Sequence, residues 1–284
     1  PVLSAAGAAH AVIGDKATDA VGRGLSKLGM PMWSSAFPLA YYPHAIKTQP
    51  SELKVVYFPS CINQTMGKSK GQSTPLIDKM VALMEKAGYE VIFPKNMKNL
   101  CCGTIWESKG MPDIADRKAK ELDEALFEAS DGGRYPVLCD QSPCLHRMRN
   151  TIKQVKLYEP VEFIYEYLAP HLRFVQTDEP VALHFTCSTR HMNLNDMFVA
   201  LAGMCTTKVV VPEEVGCCGF AGDKGFTDPE VNRYALRKLR KQLEAAGVKR
   251  GFSNSRTFEI GLTVNGGVPY QSIAYLVDEC TIKK

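Results

Sequence analysis

The sequence predicts an α/β fold made of two pseudo-repeated halves, each with a mostly parallel sheet flanked by helices. Short apolar runs alternate with amphipathic stretches at helical spacing along most of the chain. A Cys-Cys-Gly triplet occurs twice, at 101–103 and 217–219, and the same order of elements surrounds both copies. Because alternating strands and helices are typical of parallel sheets, we expect one half at 54–178, a second at 179–284, and an N-terminal arm or linker at 1–53.

The elements of the two halves follow one another in a matching order. The first half contains strand 55–58, helix 75–88, strand 89–93, helix 113–129 and strand 137–138. The second half contains strand 181–185, helix 194–201, strand 208–211, helix 228–247, strand 250–253 and a last helix at 271–279. Helix 160–169 and the polar segment 176–180 separate the two halves.

The N-terminal arm is only weakly patterned. Val21, Leu25 and Leu28 lie on one stripe of a predicted short helix. Trp33 and Phe37 are the predicted anchors of the arm on the core. The prolines that follow the helix are expected to keep the chain extended, namely Pro31, Pro38, Pro43 and Pro50.

Composition and length are those of an ordinary globular protein. The 284 residues suffice for two modest domains with their own cores. The formal net charge of +4 gives no reason to expect nucleic-acid binding. No apolar run approaches the roughly 20 residues of a transmembrane helix. Because the chain starts at Pro1 and not at methionine, we expect it to be a piece of a longer protein.

Ten cysteines recur in clusters along the chain. At this chain length, such clusters are typical of metal ligation in a reducing compartment and not of a disulfide framework. Most of them follow a predicted strand, and the carboxyl ends of parallel strands meet at one edge of a sheet. Cys101 and Cys102 can face one centre if the backbone turns sharply, which Gly103 allows. Free cysteine is also common as a small buried side chain, which is the interpretation we favour for Cys205 and Cys280.

The pattern of one cysteine, then Cys-Cys-Gly, then Cys-x-x-Cys resembles the cysteine-rich CCG domain. That domain occurs twice in a subunit of heterodisulfide reductase and in iron–sulfur subunits of glycolate and glycerol-3-phosphate dehydrogenases. The resemblance extends from Lys54 to the C-terminus. The stretches 216–226, 253–262 and 267–272 are similar to the C-terminal part of large FAD-dependent D-lactate and D-2-hydroxyglutarate dehydrogenases.

The resemblance implies an iron–sulfur module, with a 4Fe-4S cluster or a variant of it, that passes electrons from a flavin to an acceptor such as a quinone or ferredoxin. FAD would belong to an upstream domain or a partner subunit, so the chain alone is expected to be inactive as a dehydrogenase. The implied location is the cytoplasm or the periphery of the inner membrane.

The match to the motif is unequal in the two halves. In the first half the matching residues are Cys61, Cys101, Cys102 and Cys144, and in the second half Cys187, Cys217 and Cys218. Gln141 occupies the place of the first cysteine of Cys-x-x-Cys, and Cys139 is a candidate substitute. Ser255 and Phe258 occupy the places of the last two cysteines of the second half. Because phenylalanine cannot bind iron, the second set has three thiols, and we expect position 258 to face them.

Alternative ligands and functions stay open at this point. Four thiolates suit an iron–sulfur cluster and also a tetrahedral zinc ion. A fourth ligand of the second set would be His184, His191, a water or a substrate, although a strand histidine such as His184 is more often a core side chain. His146 is expected near the first set or at the surface. The competing functions are a zinc- or thiol-dependent redox or catalytic unit and a non-enzymatic scaffold.

Overall fold

The computed structural model of the chain describes residues 2–30, 33–41, 44–69 and 71–284, which form two four-stranded sheets and a two-stranded ribbon. The first sheet consists of β1 (Lys54–Phe58), β2 (Glu90–Ile92), β3 (Val137–Cys139) and β4 (Leu157–Tyr158). The ribbon pairs β5 (Leu172–Phe174) with β10 (Thr281–Lys283). The second sheet consists of β6 (Val181–Leu183), β7 (Val209–Val210), β8 (Arg250–Phe252) and β9 (Tyr270–Gln271).

The two sheets have the same topology. Their strand orders are β2-β1-β3-β4 and β7-β6-β8-β9, and all neighbouring strands run parallel. Four of the five residues of β1 are buried, as expected for a parallel strand that is covered on both faces. The predicted α/β class with two parallel, pseudo-repeated halves is therefore confirmed.

Helices flank both sheets. In the first half they are α2 (Cys61–Thr65), α3 (Leu76–Lys86), α4 (Thr104–Ser108), α5 (Pro112–Ala129), α6 (Ser142–Thr151) and α7 (Pro160–Phe163). In the second half they are α8 (Cys187–His191), α9 (Asn195–Cys205), α10 (Lys224–Thr227), α11 (Pro229–Ala235), α12 (Leu239–Ala245), α13 (Arg256–Gly266) and α14 (Ile273–Glu279). In the part of the chain that the structure describes, no helix has the length and apolar character needed to cross a bilayer.

Some predicted helices differ from the observed ones. The single helix predicted at 228–247 is divided into α11 and α12, because the chain tightens into a turn in which Leu239 N donates to Leu236 O at 3.0 Å. The predicted helix 160–169 is α7, which continues through a π turn (Ile164–Leu168) and a 3₁₀ turn. Helices α6 and α13, which begin directly in the third loop of each half, were not predicted.

The arm contains a longer helix than predicted, α1 (Val2–Ser26), with a kink at Gly14 where φ is 78°. Val21 and Leu25 of the predicted stripe lie on this helix and Leu28 follows its end, and all three side chains are exposed. Trp33 and Phe37 do anchor the arm: their rings lie 4.9 Å apart, and Phe37 is buried in the core of the second half. Pro31 and Pro43 lie outside the described residues.

One apolar cluster joins the two halves. It contains Tyr57 and Leu138 of the first sheet together with Leu183 and Phe252 of the second. Helix α14 completes it by packing on α3, where Lys79 Nζ lies 2.6 Å from Asp278 Oδ2. The boundary expected at 178/179 stays a prediction, because elements from either side of it share this core.

Buried polar contacts also link the halves at Glu159, the N-cap of α7. Its Oε1 accepts from Ser142 Oγ at 2.6 Å, just after β3, and from Asn254 Nδ2 at 2.7 Å, just after β8. Its Oε2 accepts from Val161 N at 2.6 Å. Burial raises the pKa of this carboxyl to about 7, although the hydrogen bonds oppose the shift.

We expect Tyr275→Phe and Tyr270→Phe to differ although both rings are buried. The Tyr275 hydroxyl donates to Thr74 O at 2.9 Å, a bond between the last helix and the first half, so its loss should cost about 1 kcal/mol of unfolding free energy. The Tyr270 hydroxyl is buried without a hydrogen-bond partner among the described residues, so its removal should be neutral or stabilising. Urea unfolding of both variants tests this, and equal losses would contradict it.

We expect Glu159 to make stability fall as pH rises. Its folded pKa of about 7 lies above the ordinary 4.5, so the contribution of the neutral carboxyl is complete below pH 4.5 and is lost as pH rises through about 7. The amplitude should be about 3 kcal/mol. Glu159→Gln should flatten this slope in unfolding measured across the range. The control is Glu162→Gln in the same capping box, which should keep the slope; a parent-like slope in Glu159→Gln would refute the assignment.

Candidate metal centre

Four predicted thiols meet at the carboxyl edge of the first sheet. Cys61 opens α2 directly after β1, Cys101 and Cys102 precede α4 after β2, and Cys144 lies in the first turn of α6 after β3. The thiols form a chain in which Cys144 interacts with Cys102, and Cys102 and Cys61 both interact with Cys101. The sheet topology thus brings together side chains that are far apart in the sequence.

The interactions between the thiols converge on Cys101. The thiols of Cys102 and Cys61 hold the pKa of Cys101 well below its usual value, and Gly103 N adds a bond to Cys101 Sγ at 3.4 Å. The interaction with Cys101 raises the pKa of Cys61 and of Cys102. The interaction with Cys102 raises the pKa of Cys144. The set therefore stabilises one negative charge by itself. Ionising the other thiols needs a compensating cation, which fits a thiolate-bound metal.

The backbone turn at each Cys-Cys-Gly triplet has a specific cause. Gly103 and Gly219 have φ values of 88° and 69°, in the left-handed region that favours glycine. A side chain at Gly103 would meet Ala115 O on α5, and one at Gly219 would lie 2.9 Å from Val231 O on α11. Each glycine therefore allows both the turn and the close packing of the triplet on a helix, α5 in the first half and α11 in the second.

Two residues that hold these turns were missed by sequence reasoning. Arg147 Nε donates to Cys102 O at 3.0 Å, and Asn232 Nδ2 donates to Cys218 O at 2.5 Å. Arg147 is buried and ion-pairs with Glu107 and Asp116. The two donors lie on helices that do not correspond to each other in the repeat, α6 and α11. The repeat pattern of the sequence therefore could not predict these hydrogen bonds.

The second set contains three thiols. Cys187 opens α8 and interacts with Cys217, and both are exposed, whereas Cys218 is buried. Burial raises the pKa of Cys187, and it raises that of Cys218 to about 12 although Phe220 N donates to its sulfur at 3.4 Å. Gly219 N donates to Cys217 Sγ at 3.3 Å, which is the same contact that Gly103 makes with Cys101.

Phe258 and Ser255, which replace cysteines of the motif, have different surroundings. Phe258 packs in the apolar cluster that contains Cys218 and Phe220. The Ser255 hydroxyl instead accepts from Gln141 Nε2 at 2.9 Å. The residues that replace the first cysteine of Cys-x-x-Cys in the two halves therefore bind each other. Ser142 N also donates to Asn254 O at 3.0 Å between the same two loops.

The two thiol sets lie side by side. Besides the Gln141–Ser255 contact, the rings of His146 on α6 and His191 on α8 have centroids 5.7 Å apart. Lys109, just after α4, forms an ion pair at 2.5 Å with Asp223, the residue before α10. The Gln141–Ser255 and Lys109–Asp223 contacts join corresponding segments of the two halves, whereas the His146–His191 contact joins the helix after β3 to the helix after β6.

Cys139 and His184 remain candidate ligands. Cys139 is fully buried and its Sγ lies 3.9 Å from Gln141 O, so its sulfur is directed to a backbone carbonyl and not to the four interacting thiols. His184 is buried at the end of β6, and neither ring nitrogen has a hydrogen-bond partner among the described residues. Burial, with the charge of Arg190, lowers the pKa of His184 to about 4, which leaves a neutral imidazole. Across the described ranges, no group of three or more Cys, His, Asp or Glu side chains is already spaced to hold a single metal ion.

Comparison with known proteins identifies the family of the chain and a solved structure with a similar fold. A family model for the cysteine-rich domain, CCG, matches residues 55–149 and 181–255. Lactate utilization protein A 1 of Bacillus mycoides (strain KBAB4) is 22% identical over 213 residues, covering 69% of this chain and 83% of that protein. A crystal structure of a hypothetical protein from Helicobacter pylori superposes with a TM-score of 0.56 at 10% identity, over 91% of this chain and 53% of that chain, which shows a shared fold alone.

An aspartate racemase homologue from Pyrococcus horikoshii OT3 has a TM-score of 0.32 at 15% identity, over 80% of this chain and 96% of that chain. This TM-score is too low to carry an argument.

The two copies of the family model together cover more than half of the 284 residues. Each copy starts at the first strand of a sheet and includes one Cys-Cys-Gly turn. The chain therefore belongs to the cysteine-rich CCG domain family, in two copies.

Proposed function

We propose that the chain is the iron–sulfur electron-transfer module of a flavin-dependent D-2-hydroxyacid dehydrogenase of the D-lactate type. The observation that carries the proposal is the convergence of Cys61, Cys101, Cys102 and Cys144 on one sheet edge. Membership of a cysteine-rich family supports a metal or iron–sulfur cofactor. The relative named for lactate utilization supports the class of substrate.

The four thiols of the first set would hold the cluster, which supplies one-electron transfer when bound. Gly103 N and Thr104 Oγ1 hydrogen-bond to the sulfurs of Cys101 and Cys102 and would tune the potential by stabilising negative charge on them. Arg147 holds the Cys102 carbonyl by a hydrogen bond and so would help to fix the backbone turn that carries both thiols.

The second set would extend the path or contact the redox partner. Cys187 and Cys217 are exposed, and the three contacts between the halves place this set beside the first. His184 would complete it as a fourth ligand, because neither nitrogen of its neutral ring has a hydrogen-bond partner among the described residues. FAD would reside on an upstream domain or a partner subunit, and the acceptor would be a quinone or ferredoxin in the cytoplasm or at the periphery of the inner membrane.

A zinc- or thiol-dependent unit is the second candidate function. It is favoured by one observation: three thiols, two of them exposed, leave a coordination position open, as catalytic zinc sites do. Metal analysis separates the two candidates, and protein without metal would instead favour a scaffold.

Anaerobically prepared protein should contain iron and acid-labile sulfide. Cys101→Ser should remove about one cluster because it deletes the sulfur with which both Cys61 and Cys102 interact. The matched control is Cys139→Ser, which changes a neighbouring buried thiol outside the chain of contacts and should keep parent iron. Circular dichroism checks that both variants fold. Zinc without sulfide would support the second candidate, and loss of iron in Cys139→Ser would make Cys139 a ligand.

Phe258→Cys should give the second set its missing thiolate. We expect the bound iron to rise by about one cluster after anaerobic reconstitution, since four thiolates are the usual requirement. Phe258→Ser opens the same space without a thiolate and serves as the control. If the Cys and Ser variants both bind as much iron as the parent, position 258 does not face Cys187, Cys217 and Cys218.

A further inference from the structure

A third group of thiols lies away from both Cys-Cys-Gly turns. Cys205 is the last residue of α9 and Cys280 follows α14, and both are buried. The two thiol groups interact electrostatically, and both side chains pack in the apolar cluster that joins the halves. Neither residue belongs to the CCG motif, so the metal site does not account for their contact.

The backbone around this pair has the span of a disulfide. Cys205 O accepts from Thr177 N at 3.0 Å, and Cys280 O accepts from Val175 N at 2.8 Å. Amide groups two residues apart on an extended segment point to the same side and are separated by about 6.6 Å. The Cα atoms of disulfide-bonded cysteines lie about 4.4–6.8 Å apart, so the segment 175–177 holds the two residues at a suitable distance.

Pairing on both sides fixes this arrangement. Thr206, next to Cys205, forms a parallel bridge with Thr177, and Thr281, next to Cys280, pairs with Phe174 in the ribbon. Both cysteines are therefore positioned by backbone contacts to one strand and do not depend on side-chain packing alone.

A cation lies beside the sulfurs. Arg250 on β8 ion-pairs with Glu179 at 3.1 Å and with Glu279, but its Nε is buried and has no hydrogen-bond partner among the described residues. The interaction with the Cys205 thiol and the positive charge of Arg250 lower the pKa of Cys280, whereas burial and Glu279 oppose the shift. Cys280 is thus the sulfur prepared to react first.

We propose that Cys205 and Cys280 are a redox-active dithiol that hydrogen peroxide converts to an intramolecular disulfide. The Cys280 thiolate attacks one peroxide oxygen and becomes a sulfenic acid, and the other oxygen leaves and takes up a proton to become water. The Cys205 sulfur then displaces the sulfenic hydroxyl, which leaves as a second water. The two thiols lose two electrons and two protons, and one peroxide is reduced to two waters. Access is through the short ribbon, whose outer residues Ile282 and Lys283 are exposed.

The disulfide would join α9 to the end of α14, the helix that packs on α3 of the first half. It closes a long loop, so oxidation should raise the Tm of the chain. This role is independent of the metal proposal, because neither thiol contacts the thiols of the two CCG sets in the described contacts.

The test uses the whole chain treated with equimolar hydrogen peroxide, then alkylated under denaturing conditions and digested with trypsin. Peptides 191–208 and 257–283 each contain a single cysteine, so a linked pair two hydrogens lighter than the free peptides identifies the bond. We expect that pair, together with an upward Tm shift reversed by a thiol reductant. Cys139, buried without a thiol hydrogen bond, should stay reduced as the internal control.

Two variants separate a reactive pair from a structural one. In Cys205→Ser, dimedone should trap a sulfenic acid at Cys280, whereas in Cys280→Ser no adduct should form at Cys205. Both variants should keep the parent iron content, which separates this proposal from the proposed function. Full alkylation of both cysteines in the peroxide-treated parent, or adducts at Cys205 alone, would overturn the proposal, and the parent experiment decides it even if a variant fails to fold.

Discussion

The position of the two thiol sets depends on a buried hydrogen-bond network between the loops after β3 and β8. Arg256 is fully buried and ion-pairs with Glu259 at 2.6 Å, while its Nε donates to Asn63 Oδ1 at 3.0 Å on α2. Its backbone N–H donates to Gln141 Oε1 at 3.0 Å. A buried guanidinium left without these partners would cost several kcal/mol, so the network holds the halves in one register. With the halves so fixed, the carboxyl edges of both sheets lie next to each other.

This network also explains how the motif can lose ligands without losing the fold. Gln141 and Ser255 stand where the family pattern has cysteines, and each satisfies the other in a buried position. Phe258 fills apolar space beside Cys218. The replacements have become contacts between the halves and packing groups, which makes the two sets chemically unequal although the backbone around them is repeated.

Much of the fold followed from the sequence because its signals were local. The strands begin at apolar runs such as 55–58. Parallel topology alone predicts that the cysteines that follow β1, β2 and β3 lie close together. What could not be predicted depends on partners distant in the chain. Helix α13 begins at residues buried by the first half, the ribbon pairs two three-residue strands, and Arg147 and Asn232 hold equivalent carbonyls from different helices. The exposure of Val21 and Leu25 could not be predicted either, because helical spacing does not reveal whether a surface exists to cover the stripe.

The packing of α14 on α3 has a consequence for synthesis on the ribosome. The Tyr275–Thr74 hydrogen bond joins residues 201 positions apart, so the apolar face of α3 must wait for its cover while the second half is translated. At ordinary elongation rates that interval lasts about 10–40 s. During it, Ile77, Met80 and Met84 lack part of their native cover, and the nascent first half is a candidate for chaperone binding. Truncation before α14 would make this transient state permanent.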